Sequence, residues 1–179
     1  MTRDAGVYAQ ALYGLMKEEN GDREVLEQIR VLDASLREEP AFLRLLANPS
    51  VPKQERTGIL DESFRGKLHP HLLSFLKLLT EKGHIRCFSD CAKAYTELYN
   101  ADHGILPVQV TTAAEMTQAQ KQALTRKLVG ITGKTVELIC TVDPAVLGGV
   151  RLDYDGKRVD GTVKNRLEQV RSVLNSTPL

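Results

Sequence analysis

Residues 88–112 read FSDCAKAYTELYNADHGILPVQVTT, and the spacing of their apolar side chains changes at Gly104. Before Gly104 apolar residues recur every three or four positions, which is the spacing of one face of an α-helix. After it every second residue is apolar over 106–110, which is typical of a β-strand. The change predicts a boundary between two domains, residues 1–104 and residues 105–179.

The first domain is predicted to be a bundle of short helices. Six apolar stripes at helical spacing cover it, and glycine- and proline-rich breakers separate them. The sixth helix is expected to run unbroken from His84 to about Ala101. The fifth, from Pro70, has apolar residues on more than one face, which indicates a central or interface helix. The first helix, from Val7 to about Glu19, is expected to present one apolar face formed by Val7, Tyr8, Ala11, Leu12 and Leu15.

The second domain follows the order β-α-β-β-(short β)-α. Thr117 and Gln120 have the spacing of a capping box, so they mark the start of its first helix. Asp155-Gly156 is a hairpin signal. A last helix is expected from about Thr162 to Leu174. The sequence therefore predicts an α+β protein, a six-helix N-terminal bundle followed by a small two-layer α/β domain.

Composition excludes several classes of function. The chain has 179 residues, 42% hydrophobic and 26% charged, with a net charge of +1, so it can form a core and has no strong field for nucleic acid or an anionic membrane. No apolar run approaches the roughly 18 residues of a membrane-spanning helix, and the polar start contains no signal core. The three cysteines, an odd number, favour reduced thiols in a cytosolic setting. The sequence assigns no role to Cys87, Cys91 or Cys140.

Gly133-Lys134-Thr135 resembles the end of a phosphate-binding loop, but two features argue against that interpretation. Leu128 stands where the motif needs glycine, and the motif lies between a helix and a strand in the reverse order. A helix end followed by a strand start is the simpler interpretation. Likewise, Gly148-Gly149 lacks the spacing of a dinucleotide-binding loop, so a sharp bend before the third strand is favoured.

Metal and acid–base sites are also weakly supported. His84, Cys87 and Cys91 would share one face of a continuous helix, but a structural zinc site needs four ligands and no second pair follows. His69-Pro70-His71 has the pattern of a helix entry. Asp160 lies near a predicted helix start, where a carboxylate usually accepts amide hydrogen bonds. We therefore predict no catalytic residue, no metal and no cofactor.

Five segments together resemble one known family. They are 8–12 (YAQAL), 48–49 (NP), 78–84 (LLTEKGH), 142–151 (VDPAVLGGVR) and 155–167 (DGKRVDGTVKNRL). In this order and at these separations the chain is similar to the delta subunit of F-type ATP synthase, whose mitochondrial counterpart is the oligomycin-sensitivity-conferring protein. The resemblance covers nearly the whole chain. Thr162 and His84 depart from it, since serine and arginine are common there.

The resemblance implies a non-catalytic stator subunit that links the alpha/beta catalytic head to the peripheral stalk. It implies that the chain is a monomer within a hetero-oligomer at the cytoplasmic face of a bacterial inner membrane. The chain would be attached there through the complex, would not insert into the membrane and would not bind nucleic acid. An N-terminal helix of an alpha subunit is expected to bind the first and fifth helices at Tyr8, Ala11, Leu12, Leu15, Phe75 and Leu78, positions that fit the bundle core equally well. The C-terminus of a b-type stalk subunit is expected to contact Gly148, Gly149, Val163, Leu167 and Val170.

The alternative is a small nucleotide- or RNA-binding adaptor that uses the C-terminal half. Residues 105–179 hold ten basic and seven acidic side chains, which gives this half a mild positive charge. A charge run of this size is usually a solvated face. The basic side chains that suggest this alternative are Lys157, Arg158, Lys164, Arg166 and Arg171.

Overall fold

The structure is a computed structural model that describes residues 3–146, 148–162 and 165. In this part of the chain it contains seven α-helices and one four-stranded mixed sheet, which confirms the predicted α+β class. The chain divides into two compact units, Met1–Tyr99 and Asn100–Leu179. The predicted domain boundary after Gly104 stays a prediction.

Six α-helices begin in the first unit, and most of them start or end at the predicted breakers. Pro40 and Pro70 occupy the first turn of their helices, where a missing amide hydrogen costs nothing. The helices are α1 (Arg3–Glu18), α2 (Asp22–Glu38), α3 (Pro40–Ala47), α4 (Lys53–Phe64), α5 (Pro70–Glu81) and α6 (Phe88–Asp102).

The buried face of α1 differs from the predicted one. Val7, placed on the apolar face by its spacing, is 66% exposed, and Leu15 is 49% exposed. The observed core face is rotated about the helix axis from the predicted face, and the two faces share only Leu12. The observed face consists of Ala5, Ala9, Leu12, Tyr13 and Met16.

The predicted sixth helix is wrong at its start. A 3-10 turn, Ile85–Cys87, precedes α6, and His84 lies before that turn. Gly83 has a φ of 75°, a left-handed conformation that ends α5, and His84 after it has the non-helical backbone angles φ −102° and ψ 12°. His84, Cys87 and Cys91 therefore do not form the shared helix face that the sequence predicted.

Among the described residues of the first unit, one charged side chain is buried. Arg56, in the first turn of α4, is only 5% exposed and donates hydrogen bonds to the carbonyl oxygens of Leu46 (2.9 Å) and Thr80 (3.4 Å). These carbonyls lie in the last turns of α3 and α5, where helix dipoles favour a cation. Arg56 therefore joins three helices through their ends.

The second unit is built on the predicted β-α-β-β-β order. Its strands are β1 (Ile105–Thr112), β2 (Thr135–Val142), β3 (Val150–Tyr154) and β4 (Lys157–Asp160), and α7 (Gln118–Thr132) connects β1 to β2. The sheet order is β2-β1-β3-β4, parallel between β1 and β2 and antiparallel elsewhere. The core on one face is formed by Leu106, Val108, Val110, Leu128 and Leu152.

Both ends of α7 follow the sequence prediction. The Thr117 hydroxyl oxygen accepts a hydrogen bond from the Gln120 amide, and the Thr117 amide donates one to Gln120 Oε1, which is the predicted capping box. Gly133 ends the helix in a left-handed conformation with φ 66°. Thr135 starts β2, and its amide donates to the Gly104 carbonyl. Gly133-Lys134-Thr135 is thus a helix cap and a strand start.

Gly149 lies at a bend directly before β3. A Cβ atom at this position would lie 2.5 Å from the Gly161 carbonyl oxygen and 2.8 Å from the Thr162 Cα, so a side chain does not fit. The Gly161 amide donates to the Val150 carbonyl at 3.0 Å and fixes this close approach. The predicted bend is present, and most of the predicted last helix lies outside the described residues.

Candidate partner-binding groove

Helices α1 and α5 form the sides of an open groove in the first unit. Its volume is about 200 Å³. Six of its eight lining residues are those that the sequence predicted for an alpha-subunit contact. The lining is Tyr8, Ala11, Leu12, Leu15, His71, Ser74, Phe75 and Leu78.

The depth of these side chains distinguishes floor from rim. Leu12 and Phe75 are 4% and 8% exposed and also belong to the core. Leu15 and Leu78 are 49% and 40% exposed, one on each helix. The groove therefore has an apolar floor and a large exposed apolar side chain on each side. Such a surface can bind a helix through the apolar face of that helix.

Aromatic contacts hold one end of the groove in place. The Tyr8 ring meets Phe75 edge to face, with ring centres 6.4 Å apart, and meets His84 in the same way at 5.9 Å. The Tyr8 hydroxyl lies 3.4 Å from His84 Nδ1. These contacts restrict the Tyr8 ring, so it forms a fixed wall between α1 and the segment after α5.

Two lining residues, His71 and Ser74, were not predicted. Their spacing to Phe75 and Leu78 is helical, so the period that identified α5 also places them on this face. They were not predicted because they are polar and the sequence analysis considered only apolar positions as contacts. His71 Nε2 lies 3.0 Å from Glu19 Oε1, which adds a polar contact at the border of the groove.

The predicted stalk-contact residues are only partly described. Gly148 and Gly149 form the bend before β3, where Gly149 packs against the backbone of residues 161–162 of its own chain. Val163, Leu167 and Val170 lie outside the described residues.

The alternative chemical sites have structural explanations. Within the described ranges, no group of three or more His, Cys, Asp and Glu residues could hold a metal ion. Asp160 Oδ1 accepts a hydrogen bond from the Thr162 amide at 3.0 Å, and hydrogen bonds from Thr162 lower the pKa of this carboxyl. Asp160 thus stabilises the turn after β4, as an acid near a helix start commonly does. Of the basic residues, Arg158 pairs with Asp153 at 2.6 Å.

A comparison with known families gives the decisive observation. The profile of the family described as "ATP synthase delta (OSCP) subunit" matches residues 5–174. The chain belongs to this ATP synthase delta (OSCP) family. The resemblance stated from the sequence is confirmed.

Curated relatives of this family align over almost the whole chain. A protein of Alkaliphilus oremlandii named ATP synthase subunit delta is 30% identical over 94% of this chain and 93% of its own length. Proteins of the same name from Desulforamulus reducens and Clostridioides difficile are 31% and 30% identical, over 94% and 96% of this chain and 93% and 95% of their own lengths.

A solved structure shows the same fold. A chain of the cryo-EM structure of the Toxoplasma gondii mitochondrial ATP synthase hexamer aligns with a TM-score of 0.77. The alignment covers 100% of each chain at 22% identity, so it supports the fold alone.

Family membership settles the class of function. A delta (OSCP) subunit is a structural part of ATP synthase, so the chain is a non-catalytic stator subunit of the peripheral stalk and not an enzyme. The alternative of a nucleotide- or RNA-binding adaptor is not supported. Among the residues that the structure describes, none of the helices is long and apolar enough to cross a membrane.

Proposed function

We propose that the chain fastens the catalytic head of an F-type ATP synthase to its peripheral stalk through two separate surfaces. The groove between α1 and α5 receives an N-terminal helix of an alpha subunit. The second unit binds the C-terminus of a b-type stalk subunit. The chain acts as one copy in a hetero-oligomer at the cytoplasmic face of a bacterial inner membrane, attached through the complex.

The observation that carries the proposal is the groove itself. Residues from two helices that are distant in sequence line one surface, and the six side chains implied by the family resemblance are among them. An amphipathic helix in a groove is a standard mode of recognition, with anchors at positions i, i+3, i+4 and i+7. Leu15 and Leu78 are exposed enough to gain contacts when a helix docks.

A stator must transmit torque, so its architecture has to resist deformation. We propose that α1–α6 form one bundle and that the sheet with α7 forms a two-layer domain. In the first unit, Arg56 joins the ends of α3 and α5, and Tyr95 donates from its hydroxyl to the Asp22 carbonyl at 3.1 Å. Such cross-links between helices oppose deformation of the first unit.

The proposal is tested with a synthetic peptide of the first ~20 residues of the alpha subunit from the same organism, titrated into the full-length chain. We expect saturable heat in calorimetry, with amide chemical-shift changes concentrated in α1 and α5. Leu15→Asp and Leu78→Asp should each weaken binding by about ten- to a hundredfold, because each removes roughly 0.7–1.5 kcal/mol of the apolar burial gained on docking and places an unpaired charge in the contact.

Val7→Asp is the matched control. Val7 lies on α1 and is 66% exposed, but it does not line the groove, so its substitution should leave the affinity within about twofold. Absence of heat together with unchanged α1 and α5 resonances would refute the groove as the docking site. Equal losses for Leu15→Asp and Val7→Asp would show that the charge acts non-specifically.

A further inference from the structure

The two edges of the sheet in the second unit differ in their protection. Strand β4 forms one edge and has four residues, three of them charged: Lys157, Arg158 and Asp160. Short length and charge are devices by which proteins prevent a sheet edge from pairing with another chain. The β4 edge is therefore protected against addition of a strand.

Strand β2 forms the other edge and has neither device. It is eight residues long, TVELICTV, and contains no proline, lysine or arginine. Ile139 and Val142 are 46% and 45% exposed, on opposite faces of the strand. No strand among the described residues pairs with its outer edge, which presents a row of backbone donors and acceptors. Such an edge favours addition of a further strand.

A groove runs along this edge between β2 and α7, with a volume of about 490 Å³. Leu138 contributes its apolar floor from β2, and Cys140 follows on the same strand face and is exposed. The wall contributed by α7 contains two cations, Lys121 and Arg126. The remaining residues of this wall are Gln118, Gln122 and Thr125.

The charged residues that line the groove in the described part of the chain are all basic. Helix α7 contains three basic residues and no acidic residue, and the exposed Lys134 directly precedes β2. The single acid of β2, Glu137, alternates to the opposite face from Leu138 and Cys140. Within the described ranges the groove thus combines an apolar floor, backbone groups that no strand pairs and side chains of positive charge, and the complementary ligand is acidic.

We propose that the outer edge of β2 binds an extended, acidic segment of another subunit of the assembly, which adds a fifth strand to the sheet and directs carboxylates toward Lys121 and Arg126. This inference rests on the proposed function, because it assumes a neighbouring subunit. It assigns that contact to β2 and α7, which precede the predicted stalk residues in the chain and include none of them. A second copy of this chain is a poorer occupant, because pairing β2 with β2 would bring two basic rims together.

Cys140 supplies a native reporter for the test. The full-length chain is labelled with a maleimide, free and after assembly into purified ATP synthase, and the modified cysteine is identified by mass spectrometry. We expect Cys140 to react at least about tenfold more slowly in the complex. This factor corresponds to a free energy of about 1.4 kcal/mol or more for exposing the covered thiol. Val159→Cys, on the protected β4 edge, should react at the same rate in both states.

Hydrogen exchange distinguishes an added strand from side-chain coverage. The 135–142 amides should exchange more slowly after assembly if a strand pairs with β2. Protection of Cys140 without slower amide exchange would overturn strand addition. Equal Cys140 labelling in both states would overturn the binding site altogether.

Charge reversal tests the acidic partner. The double variant Lys121→Glu/Arg126→Glu should restore Cys140 labelling in the complex or prevent incorporation, whereas Lys127→Glu, on the same helix but outside the groove lining, should do neither. Unchanged protection in the double variant would refute the acidic ligand.

Two further outcomes separate the alternatives. Protection of Cys140 that rises with the concentration of the isolated chain would identify a second copy as the occupant and overturn the proposal. A wild-type chain that never enters ATP synthase would refute the proposed function. Incorporation with a fully reactive Cys140 would refute this inference alone.

Discussion

Cys91 and Tyr95 lie one turn apart on α6, and burial changes the acid–base behaviour of both. Burial raises the pKa of the Cys91 thiol from 9.0 to about 11, and nearby Cys87 and Asp90 act in the same direction. Burial also raises the pKa of the Tyr95 hydroxyl. Cys91 is 2% exposed and Tyr95 1% exposed, so both are neutral core residues in the folded chain.

These raised pKa values predict that the first unit loses stability in alkali. Between about pH 9 and 11 the unfolded chain releases the Cys91 proton while the folded chain retains it, so the unfolded state binds fewer protons and stability falls as pH rises. Urea unfolding followed by circular dichroism should show this fall between about pH 9 and 10.5. In Cys91→Ala the fall should be smaller by about 1 kcal/mol.

Cys140→Ala is the control for this measurement, because Cys140 is exposed. Its stability should fall with pH as in the wild type. Comparing the change with pH, and not the absolute stability, removes the cost of truncating a core side chain. An identical fall in wild type and Cys91→Ala would contradict the raised thiol pKa.

At the scale of one helix, α7 shows how position decides the effect of one substitution. Gly130 lies inside the helix, and an added Cβ would meet nothing within 4 Å. Gly133 ends the helix with φ 66°, where a side chain is strained. Gly130→Ala should therefore stabilise the chain by about 0.5–1 kcal/mol, and Gly133→Ala should destabilise it by about 1 kcal/mol.

Thermal or urea unfolding of the two alanine variants in parallel measures these opposite signs. Each variant serves as the control of the other, since the atoms added are the same and the sites lie in one helix. A loss of stability in Gly130→Ala equal to that in Gly133→Ala would show that glycine is needed inside α7 for another reason.

The elements were more predictable than the faces they bury. Local signals placed the ends of α7, because a capping box and a left-handed glycine act within a few residues. The exposure of Val7 was missed because apolar spacing does not fix which side of a helix packs against the core. The 3-10 turn before α6 was missed because a three-residue apolar spacing fits a 3-10 turn as well as an α-helix. Arg56 was missed because its partners are carbonyls of distant helices, which leave no pattern in the sequence.

At the scale of the whole molecule, the groove explains why apolar side chains of α1 and α5 remain exposed. Contact of Leu15 and Leu78 with water does not stabilise the isolated chain. Exposed apolar surfaces on soluble proteins commonly mark interaction sites. The six groove residues were predicted from the family resemblance, whereas their division into floor and rim needed the packing of two helices. Their role in binding an alpha subunit stays a prediction.

The corresponding prediction concerns coupling in the assembled ATP synthase. With Leu15→Asp/Leu78→Asp, membranes depleted of the chain and reconstituted with the variant should retain ATP hydrolysis but lose most ATP-driven proton pumping. The two substitutions remove roughly 1.5–3 kcal/mol of the apolar burial gained on docking and place two unpaired charges in the contact, which together weaken attachment of the head more than about a hundredfold. Val7→Asp/Val31→Asp, at positions 66% and 67% exposed outside the groove, carries the same added charge and should pump normally. Normal pumping by the leucine variant would contradict the groove as the point where the head is held, because torque can be resisted only through a contact that stays bound.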